Sequence, residues 1–240
     1  MSKKQTSELA IEISELCFSW DGHAPTLDIE RLQINRGERI FIEGPSGSGK
    51  STLLSLIAGV ITPQKGTVKV DGRCVSELKG ADRDRFRANH IGYIYQMFNL
   101  IPYLSVIENV TLPCRFSLRR RDRAANRSCS FEEDAIRLLK KLGMDGRADI
   151  TKPATALSVG QQQRVAAARA LIGAPEVIIA DEPTSALDTG HREAFIQLLF
   201  KECDRKETTL VFVSHDTSLE NLFDRTIRLD EINAVEGSKQ

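Results

Sequence analysis

A glycine-rich segment carries the residues whose types and spacing point most directly to chemistry. Residues 44–51 read Gly-Pro-Ser-Gly-Ser-Gly-Lys-Ser, the pattern G-x-x-x-x-G-K-[ST]. Glycine lets the backbone turn tightly enough to aim several N–H groups at one anion, and a helix N-terminus adds its dipole. An apolar strand over Ile40–Ile42 and a helical pattern over Ser51–Ala58 flank the segment, which is the context the pattern requires. The segment therefore predicts a loop that binds the phosphates of a nucleotide, and a coincidental glycine-rich turn is the alternative.

Within this loop, residue type predicts which part of the nucleotide or metal each polar side chain contacts. Lys50 is expected to reach the β- and γ-phosphates, the Ser51 hydroxyl to bind Mg²⁺, and Thr52 to support the α-phosphate. The predicted phosphate-binding residues are Gly44, Pro45, Ser46, Gly47, Ser48, Gly49, Lys50, Ser51 and Thr52.

Two adjacent carboxylates follow a second apolar strand. Val177–Ala180 leads directly into Asp181 and Glu182. Neighbouring side chains of a strand point to opposite sides, which favours different roles for the two. Asp181 is predicted to hold Mg²⁺, and Glu182 to act as general base on the attacking water. A solvated turn is the alternative, because Asp-Glu-Pro is common in turns.

Charge, cysteine content and hydropathy limit the remaining functions. The chain has 240 residues, with 33 Lys and Arg against 33 Asp and Glu, so it lacks the overall basic charge of a nucleic-acid-binding protein. Its five cysteines are widely spaced without a C-x-x-C pair, which argues against a disulfide framework or zinc site and favours a reducing compartment. Neither a secretory signal nor a membrane-spanning run is evident. We therefore expect a cytosolic chain that works at a membrane only through a partner.

Hydrophobic patterning predicts strands alternating with helices, which indicates the α/β class. Short apolar runs such as Leu210–Val213 suit parallel strands covered on both faces, and Asp71-Gly72 predicts a tight turn. From Leu100 to about Thr155, charged helical stretches indicate an inserted helical lobe. The other predicted strands are Glu8–Phe18, Thr26–Ile34, Thr67–Val70 and Ile91–Tyr95, and the clearest helical patterns are Phe131–Leu142 and Phe195–Leu199.

Further motifs resemble those of the ATP-binding-cassette ATPases. Leu157-Ser-Val-Gly-Gln161 resembles the signature of that family, and the next residues through Leu171 extend the match. Residues 182–188 resemble its D-loop segment, Tyr95-Gln96 its Q-loop, and Val213-Ser-His-Asp216 its switch histidine. The motifs occur in the family's order over roughly residues 9–230. The resemblance implies one domain over 9–235 with a P-loop NTPase (RecA-like) core, a mostly parallel sheet, an N-terminal antiparallel β subdomain, and an inserted α-helical subdomain at about 97–160.

The resemblance also implies roles for residues outside the phosphate loop. His215 would contact the γ-phosphate, Gln96 would contact Mg²⁺ or the attacking water, and Trp20 would stack on adenine. A structural cap is the alternative for His215, and an ordinary surface or core aromatic for Trp20. The implied cofactors are ATP and Mg²⁺.

The signature implies a second copy of the chain. Ser158 and Gln161 have the spacing of a capping box that opens a helix. In the family, two cassettes pair head-to-tail across two ATP molecules, which implies that Ser158, Gly160 and Gln161 contact the partner's nucleotide. Val159 stands where the family usually has glycine, and a β-branched side chain would be strained there if the position needed a positive φ.

Residues 92–102 and 107–113 resemble a bacterial subgroup that serves lipoprotein release, macrolide efflux and cell division. Amino-acid importers share parts of this pattern. The implied partner is an integral membrane permease with a large extracytoplasmic domain, and the implied location is the cytoplasmic face of the bacterial inner membrane. The function would be ATP-driven export, lipoprotein extraction or mechanotransmission, without nucleic acid. The alternative is a cytosolic ATP-driven switch that acts on a cell-wall enzyme or on nucleic acid.

The basic run Arg119–Arg123 belongs to none of these motifs. It is typical of a solvated helix face, and contact with acidic lipid or with a partner is the alternative.

Overall fold

The computed structural model describes residues 8–144, 150–185, 189–204 and 207–235. Residues 186–188 of the D-loop segment therefore lie outside the described residues. The chain forms two compact units, with strands and helices numbered below in chain order. The first unit comprises Met1–Arg87 and Thr209–Gln240, and the second comprises Ala88–Thr208.

An antiparallel sheet occupies the N-terminal part of the first unit. Its strands are β1 (Leu9–Phe18), β2 (Leu27–Asn35), β4 (Lys65–Val70) and β5 (Arg73–Cys74), in the order β2-β1-β4-β5. Ile11 and Ile13 of β1 are fully buried, as period-two alternation requires. Asp71 and Gly72 both have positive φ, 52° and 73°, which suits the tight turn joining β4 to β5. The antiparallel subdomain predicted from the sequence is thus confirmed.

Three parallel strands form the other layer of the first unit. Strand β3 (Arg39–Glu43) pairs in parallel with both β8 (Thr209–Val213) and β9 (Arg225–Arg228). The middle of β3 and the whole of β8 are buried, as expected for strands covered on both faces. The helices numbered α1 and α8 are Lys50–Ile57 and Leu229–Ile232, and helix α2, Gly80–His90, leads into the second unit.

The second unit combines a parallel strand pair with most of the helices. Strands β6 (Ile91–Ile94) and β7 (Val177–Asp181) pair in parallel. The helices are α3 (Val106–Phe116), α4 (Leu118–Ser128), α5 (Phe131–Lys141), α6 (Val159–Leu171) and α7 (Thr189–Asp204). The α/β class, the parallel strands of the P-loop core and the inserted helices are confirmed, whereas the boundaries 9–235 and 97–160 stay predictions.

None of the helices among the described residues is both long enough and apolar enough to span a bilayer.

Helix α4 departs from the expectation of a solvated basic face. Arg120 is buried, and its guanidinium donates hydrogen bonds to backbone carbonyls rather than to solvent. The acceptors are the carbonyl oxygens of Ile91, Arg169, Ala170 and Ile172, at 2.7–3.3 Å. Burial lowers the pKa of Arg120 to about 10. The prediction was wrong for this residue because helical spacing shows which positions share a face but not what covers that face.

Glu176 forms ion pairs with two neighbouring arginines. Arg119 and Arg123 both pair with its Oε1 atom, and His90 Nδ1 lies 3.1 Å from its Oε2 atom. Burial alone would raise the pKa of Glu176, but its hydrogen bond to His90 and the nearby cations lower that pKa to about 2. This partly buried anion anchors α4 beside the loop before β7.

Candidate functional site

The predicted phosphate loop lies between β3 and α1. Gly47 and Gly49 have φ values of 80° and 100°, a region that side chains other than glycine rarely adopt. At Gly49 a Cβ atom would also lie 2.7 Å from Leu27 Cδ2, so the close approach to β2 leaves no room for one. Gly49 is the N-cap of α1 and provides no side-chain cap. Glycines at positive φ directly before a helix are typical of loops whose backbone N–H groups bind an anion.

The lysine of the loop is already held close to it. Lys50 Nζ donates to the carbonyl oxygens of Gly44 at 2.6 Å and Pro45 at 2.8 Å. These bonds bring the ammonium across the mouth of the loop. Its position suits a cation that neutralises phosphate charge.

Trp20 lies beside the loop with its side chain largely in solvent. The residue is 66% exposed, so a buried core role is excluded. Its indole N–H donates to Thr52 Oγ1 at 3.3 Å, and its ring packs edge-on against Phe18 at a centroid distance of 5.1 Å. An open cleft of about 590 Å³ lies between the residues around Trp20 and the phosphate loop. The residues lining that cleft are Trp20, Asp21, Ala24, Pro25, Thr26, Pro45, Ser46, Gly47, Ser48 and Val235.

His215 lies at the same sheet edge as the phosphate loop. Ile42 of β3 is in register with Val213 of β8, and both strands run in the same direction. The loop leaves β3 after Glu43, and His215 follows β8 by two residues with an exposed side chain. Ligands of parallel sheets bind beyond the carboxyl ends of the strands, so this edge of the first unit is the expected place for them.

The second unit has an equivalent edge. Ile94 of β6 is in register with Ala180 of β7, which brings the residues after both strands to one edge. Asp181 is the last residue of β7. Burial raises the pKa of Tyr93, and the nearby charge of Asp181 and a hydrogen bond to that carboxylate raise it further. Gln96 follows β6 by two residues and is exposed in a turn.

Glu182 differs from the sequence expectation in its backbone. The prediction that Asp181 and Glu182 alternate across a strand assumed that the strand continues. Instead β7 ends at Asp181, and Glu182 has a φ of 48°. A non-glycine residue in this region costs of order 1–3 kcal/mol, and such residues cluster at functional sites. The direction of the Glu182 side chain is therefore set by this backbone turn.

The signature opens α6 as predicted. Ser158 Oγ accepts from the Gln161 N–H at 3.3 Å, and Gln161 Oε1 accepts from the Ser158 N–H at 3.0 Å, which completes the capping box. Val159 is the first helical residue, is 49% exposed, and is absent from the residues with positive φ. Valine is therefore compatible with the local backbone, and the strain considered from the sequence does not arise.

Two supporting residues on α6 were not predicted. Gln163 is buried and donates to the Pro183 carbonyl at 2.7 Å, one residue beyond Glu182. Arg169 donates to the carbonyls of Phe98 and Asn99, just beyond Gln96. Both belong to the stretch that extended the signature match, but periodicity alone does not reveal partners 20 and 70 residues away in sequence.

Comparison with known proteins agrees with these features. Residues 27–185 match the family model described as ABC transporter, which is more than half of the chain. The chain belongs to the ABC transporter family. It is an ATP-binding ATPase of that family, and it has the fold of an ATP-binding cassette.

The similar proteins include ATP-binding proteins of lipoprotein release and macrolide export and a cassette of known structure. The lipoprotein-releasing system ATP-binding protein LolD of Bacteroides thetaiotaomicron is 42% identical over 198 residues, covering 82% of this chain and 87% of LolD. The macrolide export ATP-binding/permease protein MacB of Rhodopirellula baltica is 38% identical, covering 92% of this chain and 31% of MacB. A dimeric structure of MJ0796, a bacterial ABC transporter cassette, superposes with a TM-score of 0.77 at 35% identity, covering 91% of this chain and 93% of that one. A second dimeric structure of MJ0796, in a post-hydrolysis state bound to ADP and Pi, gives a TM-score of 0.75 at 34% identity.

Proposed function

We propose that this chain is the ATP-hydrolysing subunit of a membrane complex that performs export, lipoprotein extraction or mechanotransmission. The observation that carries the proposal is the similarity to LolD, which extends over 87% of that lipoprotein-releasing protein. Similarity to the ATP-binding/permease protein MacB supports the same kind of work. The partner would be an integral membrane permease with a large extracytoplasmic domain. The chain would bind it at the cytoplasmic face of the bacterial inner membrane.

The first unit is proposed to bind ATP. Backbone N–H groups of residues 44–49 and the start of α1 would hold the phosphates, with Lys50 supplying positive charge and Thr52 supporting the α-phosphate. The exposed ring of Trp20 would stack on adenine across the cleft that it lines. His215, at the same sheet edge, would donate to the γ-phosphate.

Residues suited to Mg²⁺ occur in both units. Ser51 offers a hydroxyl oxygen, Asp181 a carboxylate and Gln96 an amide oxygen. These are hard oxygen ligands, which Mg²⁺ prefers, and it retains waters beside a few protein ligands. The donor set therefore fits the ion, which would neutralise charge on the β- and γ-phosphates. The hydrogen bond between Tyr93 and Asp181 would orient that carboxylate.

Hydrolysis is proposed to depend on the edge of β6 and β7. Glu182 would accept a proton from the attacking water, and Gln96 would orient that water. The left-handed backbone at Glu182 would turn its carboxylate away from the path of a continuing strand. Gln163 holds the following Pro183 carbonyl and so keeps that turn in place.

Two copies of the chain are proposed to pair head-to-tail across two ATP molecules. MJ0796, with which the chain superposes over 91% of its length, has a dimeric structure. In each copy Ser158, Gly160 and Gln161 would contact the nucleotide held by the partner. The Ser158 hydroxyl oxygen accepts the capping bond, so its hydrogen can still donate to a phosphate oxygen.

The test is reconstitution with the membrane permease that co-purifies with this chain from native membranes. The purified pair in phospholipid vesicles should hydrolyse ATP faster than the isolated chain, and Glu182→Gln should abolish the increase. Stimulation by DNA or RNA instead, or indifference to the permease, would contradict the proposal. Stimulation by a cell-wall hydrolase alone would favour the cytosolic switch.

A further inference from the structure

Arg169 makes an unusual pair of contacts from the interior of α6. The residue is 9% exposed, and its guanidinium donates from Nη2 to the Phe98 carbonyl at 2.6 Å and from Nη1 to the Asn99 carbonyl at 2.7 Å. Burial lowers the pKa of Arg169. Two short bonds to carbonyl dipoles help to offset the cost of removing this cation from water.

The carbonyls it binds belong to a strained turn. Phe98 and Asn99 have φ values of 58° and 47°, so two successive non-glycine residues are left-handed. Asparagine tolerates this region, but phenylalanine does so only when the surroundings impose it. The turn also closes on itself, because the Phe98 N–H donates to the Tyr95 carbonyl at 2.9 Å. Gln96 lies inside that closed turn with its side chain exposed.

Strain of this kind persists only where several contacts hold it. Phe98 is 7% exposed, so its ring is fixed by packing, and Arg169 holds the carbonyls of both Phe98 and Asn99. Without the arginine, the turn could relax to an ordinary right-handed backbone. Gln96 would then move relative to the strand end that carries Asp181.

We propose that Arg169 is a positioning residue that fixes the turn carrying Gln96 in the conformation needed for hydrolysis. It thereby ties this turn to the helix whose first residues form the signature. The inference rests on the role proposed above for Gln96. A purely structural Arg169 would instead affect stability without a specific effect on turnover.

The test compares four single variants and one double variant of the 240-residue chain by steady-state ATP hydrolysis. Arg169→Ala removes both bonds, and Arg169→Lys keeps the charge but cannot donate to two carbonyls in one plane. Arg123→Ala is the matched control, because Arg123 also donates to a backbone carbonyl, that of Ala174 at 2.7 Å, in the same unit. The fourth variant is Gln96→Ala, studied alone and combined with Arg169→Ala.

Arg169→Ala should lower kcat about 10- to 100-fold, the scale expected when a reacting group is displaced by about an ångström. KM for ATP should stay within about twofold, because the phosphate loop is untouched. Arg169→Lys should regain part of kcat, and Arg123→Ala should keep nearly all of it. In the Gln96→Ala background the arginine change should cost little more, because both changes remove the same function.

Additive losses in the double variant, or an equal loss of kcat in Arg123→Ala, would overturn the proposal. If Arg169→Ala fails to fold, Arg169→Lys decides the matter. Full kcat in Arg169→Lys overturns the proposal, and reduced kcat supports it.

Hydrogen exchange separates this inference from the role of Gln96. Should Gln96→Ala retain full kcat, the role of Gln96 fails. Faster exchange at the Phe98 amide in Arg169→Ala, but not in Arg123→Ala, would then still support the positioning contact, and unchanged exchange would refute it.

Discussion

The two units hold their functional residues by different means. In the first, the phosphate loop follows a strand whose apolar middle is buried, and it depends on glycine at positive φ and on backbone N–H groups. In the second, the turns beyond β6 and β7 are held by two buried polar side chains of α6, Arg169 and Gln163. Elsewhere in the same unit, Arg120 and the partly buried Glu176 make further ionic and polar contacts. The difference suggests a binding half that is rigid through its backbone and a hydrolytic half whose geometry depends on long-range side-chain contacts.

The largest expected effect falls on hydrolysis in the second unit. Glu182→Gln should lower kcat by about 10²–10⁴-fold, because an amide cannot accept the proton of the attacking water. Binding by the first unit should persist, so that an ATP-bound dimer accumulates and is visible by size-exclusion chromatography. The exposed Glu193 on α7 gives the control, since Glu193→Gln should hydrolyse ATP normally. Normal turnover by Glu182→Gln would remove Glu182 as the base.

The stability of the second unit should depend strongly on a buried arginine. Arg120→Met should lower the free energy of unfolding by about 3 kcal/mol, because the carbonyls that it binds at the end of α6 lose their donor. In the first unit, Arg39 pairs with Asp224 in a partly exposed site. Arg39→Met should therefore cost less than about 1 kcal/mol. Urea denaturation of both variants would measure the difference. Equal losses of unfolding free energy in the two variants would contradict the contrast drawn between the units.

Acid should destabilise the protein partly through Glu176. Its folded pKa of about 2 is below the ordinary 4.5, so between these pH values the unfolded chain binds more protons than the folded one. Ionised Glu176 contributes on the order of 2 kcal/mol to the free energy of unfolding. This contribution is complete above pH 4.5 and is lost as the pH falls toward 2. Glu176→Gln should flatten this part of the profile, while Glu132→Gln on the exposed face of α5 should leave it unchanged. An unaltered slope in Glu176→Gln would assign the acid sensitivity to other groups.

The smallest effect is expected at the adenine contact of the first unit. Trp20→Ala should weaken ATP binding about 3- to 10-fold, the range for loss of one aromatic stacking contact. Trp20→Phe should restore most of the affinity because it keeps a ring. Calorimetric titration of each variant measures the effect directly, and an unchanged affinity in Trp20→Ala would place adenine elsewhere.

The same contrast explains what could be predicted from sequence. The phosphate loop, the capping box at Ser158 and the turn at Asp71-Gly72 depend on residues a few positions apart, and local patterns predicted them. Arg120 was misinterpreted because its acceptors lie about 30 to 50 residues away in sequence. The left-handed backbone of Glu182 also escaped prediction, since nothing in its residue type requires a positive φ. Whether Val159 strains the backbone could not be decided from the sequence. It depends on the position of Val159 as the first residue of α6, which only the structure gives.

The division of labour between two copies can be tested by mixing two inactive chains. Lys50→Ala should weaken phosphate binding, while Ser158→Asp keeps a good helix cap but sets a negative charge against the partner's phosphate. Each variant alone should hydrolyse ATP poorly. In an equal mixture, roughly a quarter of the sites should combine an intact phosphate loop with an intact signature, since half of the random pairs are mixed and each holds one such site. Recovery of turnover toward that level is the predicted result. A mixture no more active than the mean of its components would contradict the head-to-tail arrangement.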